Sequence, residues 1–541
     1  MPQPTVDTPA PASAFRIHEL LAPEAFPHPV SAITLRETHI SWVILTGPFA
    51  YKIKKAVKFD FIDSLTLQRR RHLCEEELRL NRRLAPDLYV DVVAITRKNG
   101  CIAIDGDGAA IEYAVRMQQF SASDELPALL TTRDVKVAQM EALAESLAQF
   151  HLNATVAAPT QAPAKTELMY QSVFGNLAQL LTHLSGEYSS ALNRLIDWTH
   201  DTAQALEPAF EARERSGFVR ECHGDLHAAN IVRWHGQLVP FDAIEFEPKL
   251  RWIDVISDVA FLVMDLASHE RTDLASALLS RYLEVTGDYD GVRVLPFYAA
   301  YRALVRAKID ALAAEQLPSQ AAELRQRLQR RIRAALTWTT RRQPTLVLMH
   351  GASGSGKSWL SRQLVPELGA IRIRSDLERK RLAGRQATQP SAASVREGIY
   401  APQFTHRTYG RMVDCAENCL RAGFDVVVDA SFLEVTDREL FRGLAKRFGA
   451  LCLIVSCQAD PITLAQRIEE RSAGHSDPSD ATLSVLDTQL RAMQPFESSE
   501  QPDVVAVDTR ESDAIQRVVA AIRGRNSRAF RFSTHQQNRN W

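Results

Sequence analysis

An α+β half followed by an α/β half is the architecture the 541-residue sequence predicts, and three patterns predict it. The length exceeds what one hydrophobic core ordinarily organises, so the chain must divide. From about Phe15 to Val115 strand-like runs surround one helix, and helical periodicity dominates from Val135 onward. After Pro344 short apolar strands alternate with helical segments, the grammar of a doubly wound parallel sheet. The expected boundaries are 15–335 for the first domain, 336–343 for a linker and 344–524 for the second, with a disordered N-terminus over 1–14 and a disordered tail over 525–541.

In the first domain the strand-like runs are His39 to Leu45, Ala50 to Val57, Val90 to Ile95 and Ala110 to Met117, with one helix from Leu67 to Leu84. VAQMEALAESLAQFHLNA, SSALNRLIDWTHDTAQAL and FYAAYRALVRAKIDALAAE then read as helices. The Arg-rich LRQRLQRRIRAALTWTTRRQP has the Leu and Ile spacing of a solvated amphipathic linker helix, with RNA contact as the alternative. In the second domain TLVLMH, AIRIRS, DVVVDA, LCLIVS and VVAVD are the strands, and RNSRAFRFSTHQQNRNW lacks a usable period.

Apolar residues make up 45% and charged residues 24%, as in soluble globular proteins. A net charge of -1 gives no global attraction to nucleic acid or an acidic membrane, although a local basic patch stays open. The seven cysteines lack C-x-x-C spacing, which fits reduced thiols in the cytoplasm. Cys415 and Cys419 read as small core residues, and Cys222 beside His223 does not read as a nucleophile pair. MPQPTVDTPAPAS has neither the basic start nor the apolar core of a signal peptide, and no apolar run reaches the roughly 18 residues of a membrane helix.

Gly351, Ala352, Ser353, Gly354, Ser355, Gly356, Lys357 and Ser358 match G-x-x-x-x-G-K-[ST] between a strand and a helix beginning near Trp359. The glycines let backbone N–H groups converge on phosphate oxygens at a helix N-terminus, Lys357 adds a point charge, and the Ser358 hydroxyl is a Mg²⁺ ligand. ATP or GTP binding follows, with ATP and Mg²⁺ the expected cofactors. Asp429, ending DVVVD, faces the same crevice as a metal or water-network ligand, with capping of the next helix the other reading. In RSDLER, Asp376 is a candidate base for an acceptor hydroxyl and Arg379 a clamp for an anionic acceptor group. Arg467 and Arg471 at i and i+4 suit a phosphate lid, unless Glu469 and Glu470 engage them. The stretch from about Pro344 to Arg523 resembles the small P-loop kinases of the polynucleotide 5'-kinase, chloramphenicol phosphotransferase and gluconate kinase group, on GASGSGKS, IRSDLERK, VVVDASF and the arginine-bearing segment before Ser476 to Ala481. That resemblance implies the base and clamp roles for Asp376 and Arg379.

HGDLHAAN sets Asp225 five residues before Asn230, the spacing of a kinase catalytic loop, and Asp242 follows at the end of a short strand. One carboxylate must face the acceptor hydroxyl while an amide oxygen and a second carboxylate hold Mg²⁺. Lys52 and Lys54 share a strand face, and Lys52 is the stronger candidate for the phosphates. Leu73, Glu77, Leu80 and Leu84 form one helical stripe, so Glu77, with Glu76 as fallback, is a buried carboxylate needing a lysine. Arg302, Arg306 and Lys308 read either as the wall of an acceptor pocket or as a solvated basic face.

Across about Phe15 to Ala335 these pieces resemble the aminoglycoside phosphotransferase and choline kinase branch of the protein-kinase-like fold, on AYKIKK, CEEELRLNRRL, EYAVRM, HGDLHAAN and FDAIEF. The resemblance implies a bilobal fold and, for Asp258, a brace behind the catalytic loop. The connection Leu45 to Phe49 lacks G-x-G-x-x-G, and neither D-F-G nor A-P-E is present, which disfavours a protein substrate. The expectation is therefore a bifunctional kinase, a bilobal protein-kinase-like domain followed by a P-loop domain, acting on small-molecule hydroxyls. A polynucleotide 5'-kinase in the second half and a nucleotide-gated regulator with one inactive module are the alternatives. Neither a membrane nor, on balance, a nucleic acid is an expected partner.

Overall fold

The computed structural model describes residues 15–59, 62–157, 165–184, 188–340, 342–385, 399, 401–474 and 482–537. It forms two compact units, Met1–Asp134 with Ala154–Ala157 and Val219–Ile253, and Val135–Asn153 with Ala158–Phe218 and Asp254–Trp541. The chain therefore divides elsewhere than at residue 335, because the helices after Val135 pack in one body with the C-terminal sheet.

The first unit holds β1 (Thr34–Glu37), β2 (Ser41–Leu45), β3 (Phe49–Lys54), α1 (Leu67–Asn81), β4 (Tyr89–Lys98), β5 (Cys101–Ile104) and β6 (Ala109–Gln118). The strands form one antiparallel sheet in the order β1-β2-β3-β6-β4-β5. Ile44, Tyr51, Ile53, Val93, Ile95 and Ala114 are buried in its core, as period-2 alternation requires. Strand β1 is a largely exposed edge, so its TLRE sequence carries no apolar signal. Helix α1 starts on the Thr66 side chain, which accepts from the Arg69 N–H, and stops at Asn81, three residues short of the expected Leu84. Asn81, the last helical residue, donates its side-chain amide to Glu77 O and accepts from the Ala243 N–H, each at 2.8 Å. The hairpin β7 (Ile231–Trp234) and β8 (Gln237–Pro240) completes the functional portion of the unit.

The second unit begins with α2 (Val137–Asn153), α3 (Lys165–His183), α4 (Ser189–Arg215), α5 (Val255–Ser268), α6 (Thr272–Thr286), α7 (Leu295–Gln316) and α8 (Ala321–Thr339). Helix α8 is the Arg-rich segment, and it runs through half of the expected 336–343 linker because no Gly or Pro interrupts it before Pro344. Leu324, Leu328, Ile332 and Ala335 form its buried stripe. Arg331 of its polar face reaches Asp265 at 3.0 Å and Asp310 at 3.3 Å. Arg302 is not on a solvated face: it is buried, 3.3 Å from Ser257 Oγ and over the Phe261 ring. Lys308 is half-buried, and burial lowers its pKa.

The remainder of this unit is β9 (Thr345–His350), α9 (Lys357–Leu368), β10 (Ile371–Arg374), α10 (Ser375–Leu382), α11 (Pro402–Arg421), β11 (Val426–Asp429), α12 (Val435–Phe448), β12 (Leu451–Gln458), α13 (Pro461–Gly474), α14 (Leu483–Ala492), β13 (Val504–Asp508) and α15 (Ala514–Gln537). Its five strands are parallel in the order β10-β11-β9-β12-β13. Strand β9 is buried at all six positions, which is why TLVLMH is continuously apolar from Leu346 to Met349. Cys415 and Cys419 are buried and free. Helix α15 continues through Gln537, where the sequence reads as a disordered tail, since 514–537 has no Pro and a helix once started propagates cheaply. The expected loose start over 1–14 lies outside the described residues. Among the described residues no helix is long and apolar enough to cross a membrane.

Candidate functional site

Two sites emerge, one in each unit. In the first, Lys52 and Lys54 project from the same face of β3 toward Glu77, whose side chain is wholly buried in α1. Lys52 Nζ lies 2.8 Å from Glu77 Oε1 and also pairs with Asp242. Lys54, fully buried, pairs with Glu77 and with Glu245. Both lysines thus share Glu77, and Glu76 instead faces Arg79 at 2.8 Å. Burial by itself raises the Glu77 carboxyl, but the two ammonium groups outweigh it and hold the pKa at about 2. Burial also opposes charge on Lys52, which Asp242 and Glu77 more than offset, so its pKa stands well above the ordinary value. Glu245 is pushed upward by burial despite Lys54.

The loop before β7 places the remaining groups. Gly224 has φ +87°, and a Cβ there would meet Leu250 O at 2.8 Å, so only glycine fits. Asn230 ends a short 3-10 turn, and its amide nitrogen donates to Asp225 O and Asp225 Oδ2, both at 3.0 Å. That leaves the Asn230 oxygen as the offered ligand. His223 Nε2 lies 2.9 Å from Phe241 O, and Nδ1 accepts from the Asp225 N–H at 3.3 Å, which ties the loop to the segment carrying Asp242. His227 Nδ1 accepts from the Ala229 N–H, so its Nε2 carries the proton and faces Asp225 Oδ2 at 3.3 Å. Asp242 has φ +63°, a left-handed conformation that is uncommon outside glycine, and its N–H donates to Tyr89 OH at 3.0 Å. Glu245, His227 and Tyr89 complete the site beyond the residues expected from sequence, and Lys54, the weaker of the two lysine candidates, joins it beside Lys52; Glu245's place in FDAIEF was the available signal. Asp258, the expected brace, is fully buried in α5 with His151 Nε2 at 3.2 Å, while His151 Nδ1 lies 3.0 Å from Tyr282 OH.

In the second unit the chain leaves β9 through a loop with left-handed glycines, Gly351, Gly354 and Gly356, and enters α9 at Lys357. At Gly356, φ +88°, a Cβ would lie 2.5 Å from Thr509 Oγ1, so another residue would distort the loop. The N–H groups opening α9 have no intrahelical acceptor and point toward the loop, a ready anion site. Lys357 Nζ donates to Ala352 O at 2.7 Å, and the Ser353 N–H donates to Gln489 Oε1 at 2.7 Å. Arg467 engages neither Glu469 nor Glu470 in any described bond but donates to Gly354 O and Thr509 Oγ1, each at 3.1 Å. It lies on the phosphate loop itself. The Arg471 side chain and residues 475–481 lie outside the described residues.

Asp429 ends β11 buried, with Ser361 Oγ 3.1 Å from its Oδ2 and Arg374 Nε at 3.7 Å. It does not cap the next helix, because α12 begins six residues later with Glu434 at the cap position. Asp376 is half-buried in the first turn of α10. Arg379 is buried and donates to Ile399 O at 2.9 Å and Thr405 Oγ1 at 3.0 Å. Gln489, Thr509 and Arg372 are contributors that sequence spacing did not single out, since each reaches the loop from a distant element, and Ser361, one turn into α9, was not singled out either.

Residues 346–496 match the family described as the AAA domain. An uncharacterized protein of Mycobacterium tuberculosis and its counterpart from Mycobacterium bovis are each 30% identical over 458 residues, which is 83% of this chain and 89% of theirs. The chain belongs to the family of these mycobacterial proteins. It is also similar to a gluconokinase from Sinorhizobium meliloti 1021, at 21% identity and TM-score 0.27, over 36% of this chain and 99% of that chain. A choline/ethanolamine kinase family protein from Mesorhizobium loti is similar over 57% of this chain and 93% of its own, at 12% identity and TM-score 0.32. This family member combines a mixed α/β N-terminal region with a C-terminal parallel sheet that carries the matched AAA domain.

Both sites suit a magnesium nucleotide on their own chemistry. The first gathers Asp225, Asn230 and Asp242, all hard oxygen donors, and its two lysines face three carboxylates, Glu77, Glu245 and Asp242, an excess of negative charge that a cation balances. The second combines a helix N-terminus with Lys357, the Ser358 hydroxyl and the Asp429 carboxylate, which would hold the phosphates and the metal.

Proposed function

We propose that this chain is a bifunctional ATP-dependent phosphotransferase whose two modules each act on a small-molecule hydroxyl group. The observation that carries the reading is Lys52 held between Glu77 and Asp242 within the unit that also fixes Asp225 against Asn230. ATP with Mg²⁺ supplies the phosphoryl group and the charge that neutralises it. Glu77 keeps Lys52 charged and aimed, so that Lys52 orients phosphate oxygens. Asn230 and Asp242 offer the metal ligands. Asp225, its carboxylate oriented by the Asn230 amide and His227, takes the proton of the acceptor hydroxyl. In the second module the loop from Gly351 to Ser358 binds phosphates, Asp429 and Ser358 hold the metal, Asp376 accepts the acceptor's proton and Arg379 selects an anionic acceptor, with Arg467 and Arg471 on the phosphate side. The cysteines of the described residues form no disulfide, which suits a cytoplasmic setting.

The test is transfer of labelled γ-phosphate from Mg-ATP into a metabolite and RNA extract by wild type, Asp225→Asn and Asp376→Asn. Loss of a different small-molecule product in each variant supports two kinases. Labelled RNA ends that vanish with Asp376→Asn would assign the second module to polynucleotides, and labelling untouched by either substitution would overturn both base assignments.

A further inference from the structure

Strand β10 is the edge of the parallel sheet, and an edge strand presents unpaired backbone groups outward. At Arg372 those groups are taken up by residues from the helices that precede the sheet in sequence. The Arg372 N–H donates to Ser280 Oγ at 3.0 Å, and Tyr289 OH donates to Arg372 O at 3.0 Å. The guanidinium is held too: Nε donates to Glu284 Oε1 of α6 at 2.6 Å. Glu284 is almost wholly buried; burial would raise its carboxyl, but Arg372, Arg374 and Arg281 outweigh that and hold it at about 2.

The other end of the same guanidinium points at the phosphate loop. Arg372 Nη1 donates to Ser358 O at 3.2 Å and to Ser361 Oγ at 3.4 Å. Ser361 has one hydroxyl proton and two acceptors in reach, Ser358 O and Asp429 Oδ2, each at 3.1 Å. With Arg372 already donating to Ser358 O and to the Ser361 oxygen, the Ser361 proton is left for Asp429. Without Arg372, the hydroxyl falls back on the helix carbonyl three residues earlier, the ordinary habit of serine in a helix. Asp429 then loses the bond that fixes one of its oxygens.

We propose that Arg372 and Glu284 are positioning residues for the metal side of the P-loop site, with Glu284 contributed by helix α6, so that the P-loop module depends on the helical segment before it for its grip on Mg-nucleotide. The chain of contacts runs Glu284, Arg372, Ser361, Asp429, and every link is a charged or hydroxyl group inside one compact unit. This rests on the reading of Ser358 and Asp429 as the metal-binding end of a nucleotide site. A residue that orients a metal ligand from behind typically changes affinity ten- to a hundredfold, and that scale is expected here.

The experiment titrates the full-length chain with ATP by calorimetry, once with Mg²⁺ and once with EDTA, in a Lys52→Ala background that weakens the first site. Glu284→Gln, Arg372→Lys and Ser361→Ala should each lose about tenfold of the affinity gained from Mg²⁺ while ATP affinity in EDTA is unchanged. A role in folding alone would lower both affinities together. Ser280→Ala and Tyr289→Phe, which remove one hydroxyl each from the backbone of Arg372, give the same selective loss in smaller measure and serve if Glu284→Gln does not fold. Equal affinities in folded variants and parent, or a loss that ignores Mg²⁺, overturns the positioning inference alone. Failure of the parent to bind ATP, with Mg²⁺ and with EDTA alike, overturns the nucleotide reading beneath it.

Discussion

The two candidate sites are built by opposite means. The site around Glu77 is made of side-chain charge: two lysines and three carboxylates, most of them buried, whose positions depend on one another. The site around Gly351–Ser358 is made of backbone, with glycine φ values and a helix N-terminus doing what ion pairs do in the first. A charge cluster fails when any one member is removed, because the others are left buried and unpaired. A backbone loop fails when a side chain is added. The comparison therefore says which substitutions to make in each half.

The largest effect is expected at the bases. Asp225→Asn should lower transfer to the first module's acceptor by roughly 10²–10⁴-fold while the second module's product persists, read by product-resolved label transfer. Loss of both products together would break the claim of independent chemistry. Next comes Glu77→Ala, which should destabilise the first unit by about 3–5 kcal/mol in urea unfolding, since Lys54 is left in a buried position with Glu245 alone. Gly356→Ala should leave the stability of that unit unchanged and abolish saturable Mg-ATP binding by the loop.

Acid should separate the halves as well. His350, just before the loop, is held at about 4 by burial and by the charges of Arg438 and Lys357, below its ordinary 6.5. A depressed folded pKa means stability that is present above pH 6.5 and is lost as pH falls toward 4, on the order of 3 kcal/mol. Glu77 has the same sign in a lower window, from its ordinary 4.5 down to about 2. Denaturant midpoints followed by probes in each unit should show the second unit weakening first, and His350→Leu should remove that early loss. Arg71→Ala, breaking an exposed i,i+4 pair with Glu75, should cost at most about 0.5 kcal/mol and calibrates the small end of the scale.

Much of this was legible because local rules applied. Period-2 alternation marked β2, β3, β4 and β6, and largely apolar runs marked four of the five parallel strands, since burial on two faces favours that pattern, whereas β10 reads IRIR with both arginines buried. The exposed strand β1 and the helical extension of α15 were not legible, the first for want of apolar residues and the second because a polar stretch without a period signals neither state. The motif spacing singled out Lys357, Asp225 and Asn230 as candidates. Which lysine meets Glu77 was not in the spacing: both do, and the second brings in Glu245.

By itself the sequence determined the order of the two folds, the phosphate loop with its glycines and the HGDLHAAN spacing, because each of these is set by neighbours within a few residues. Only the tertiary structure decided that Arg467 lies on the loop, that Asp429 is held by Ser361 instead of capping a helix, and that Arg372 joins Glu284 to the loop across 88 residues of chain. Those pairings are between side chains whose separation in sequence carries no period, so only the packing of the elements can bring them together.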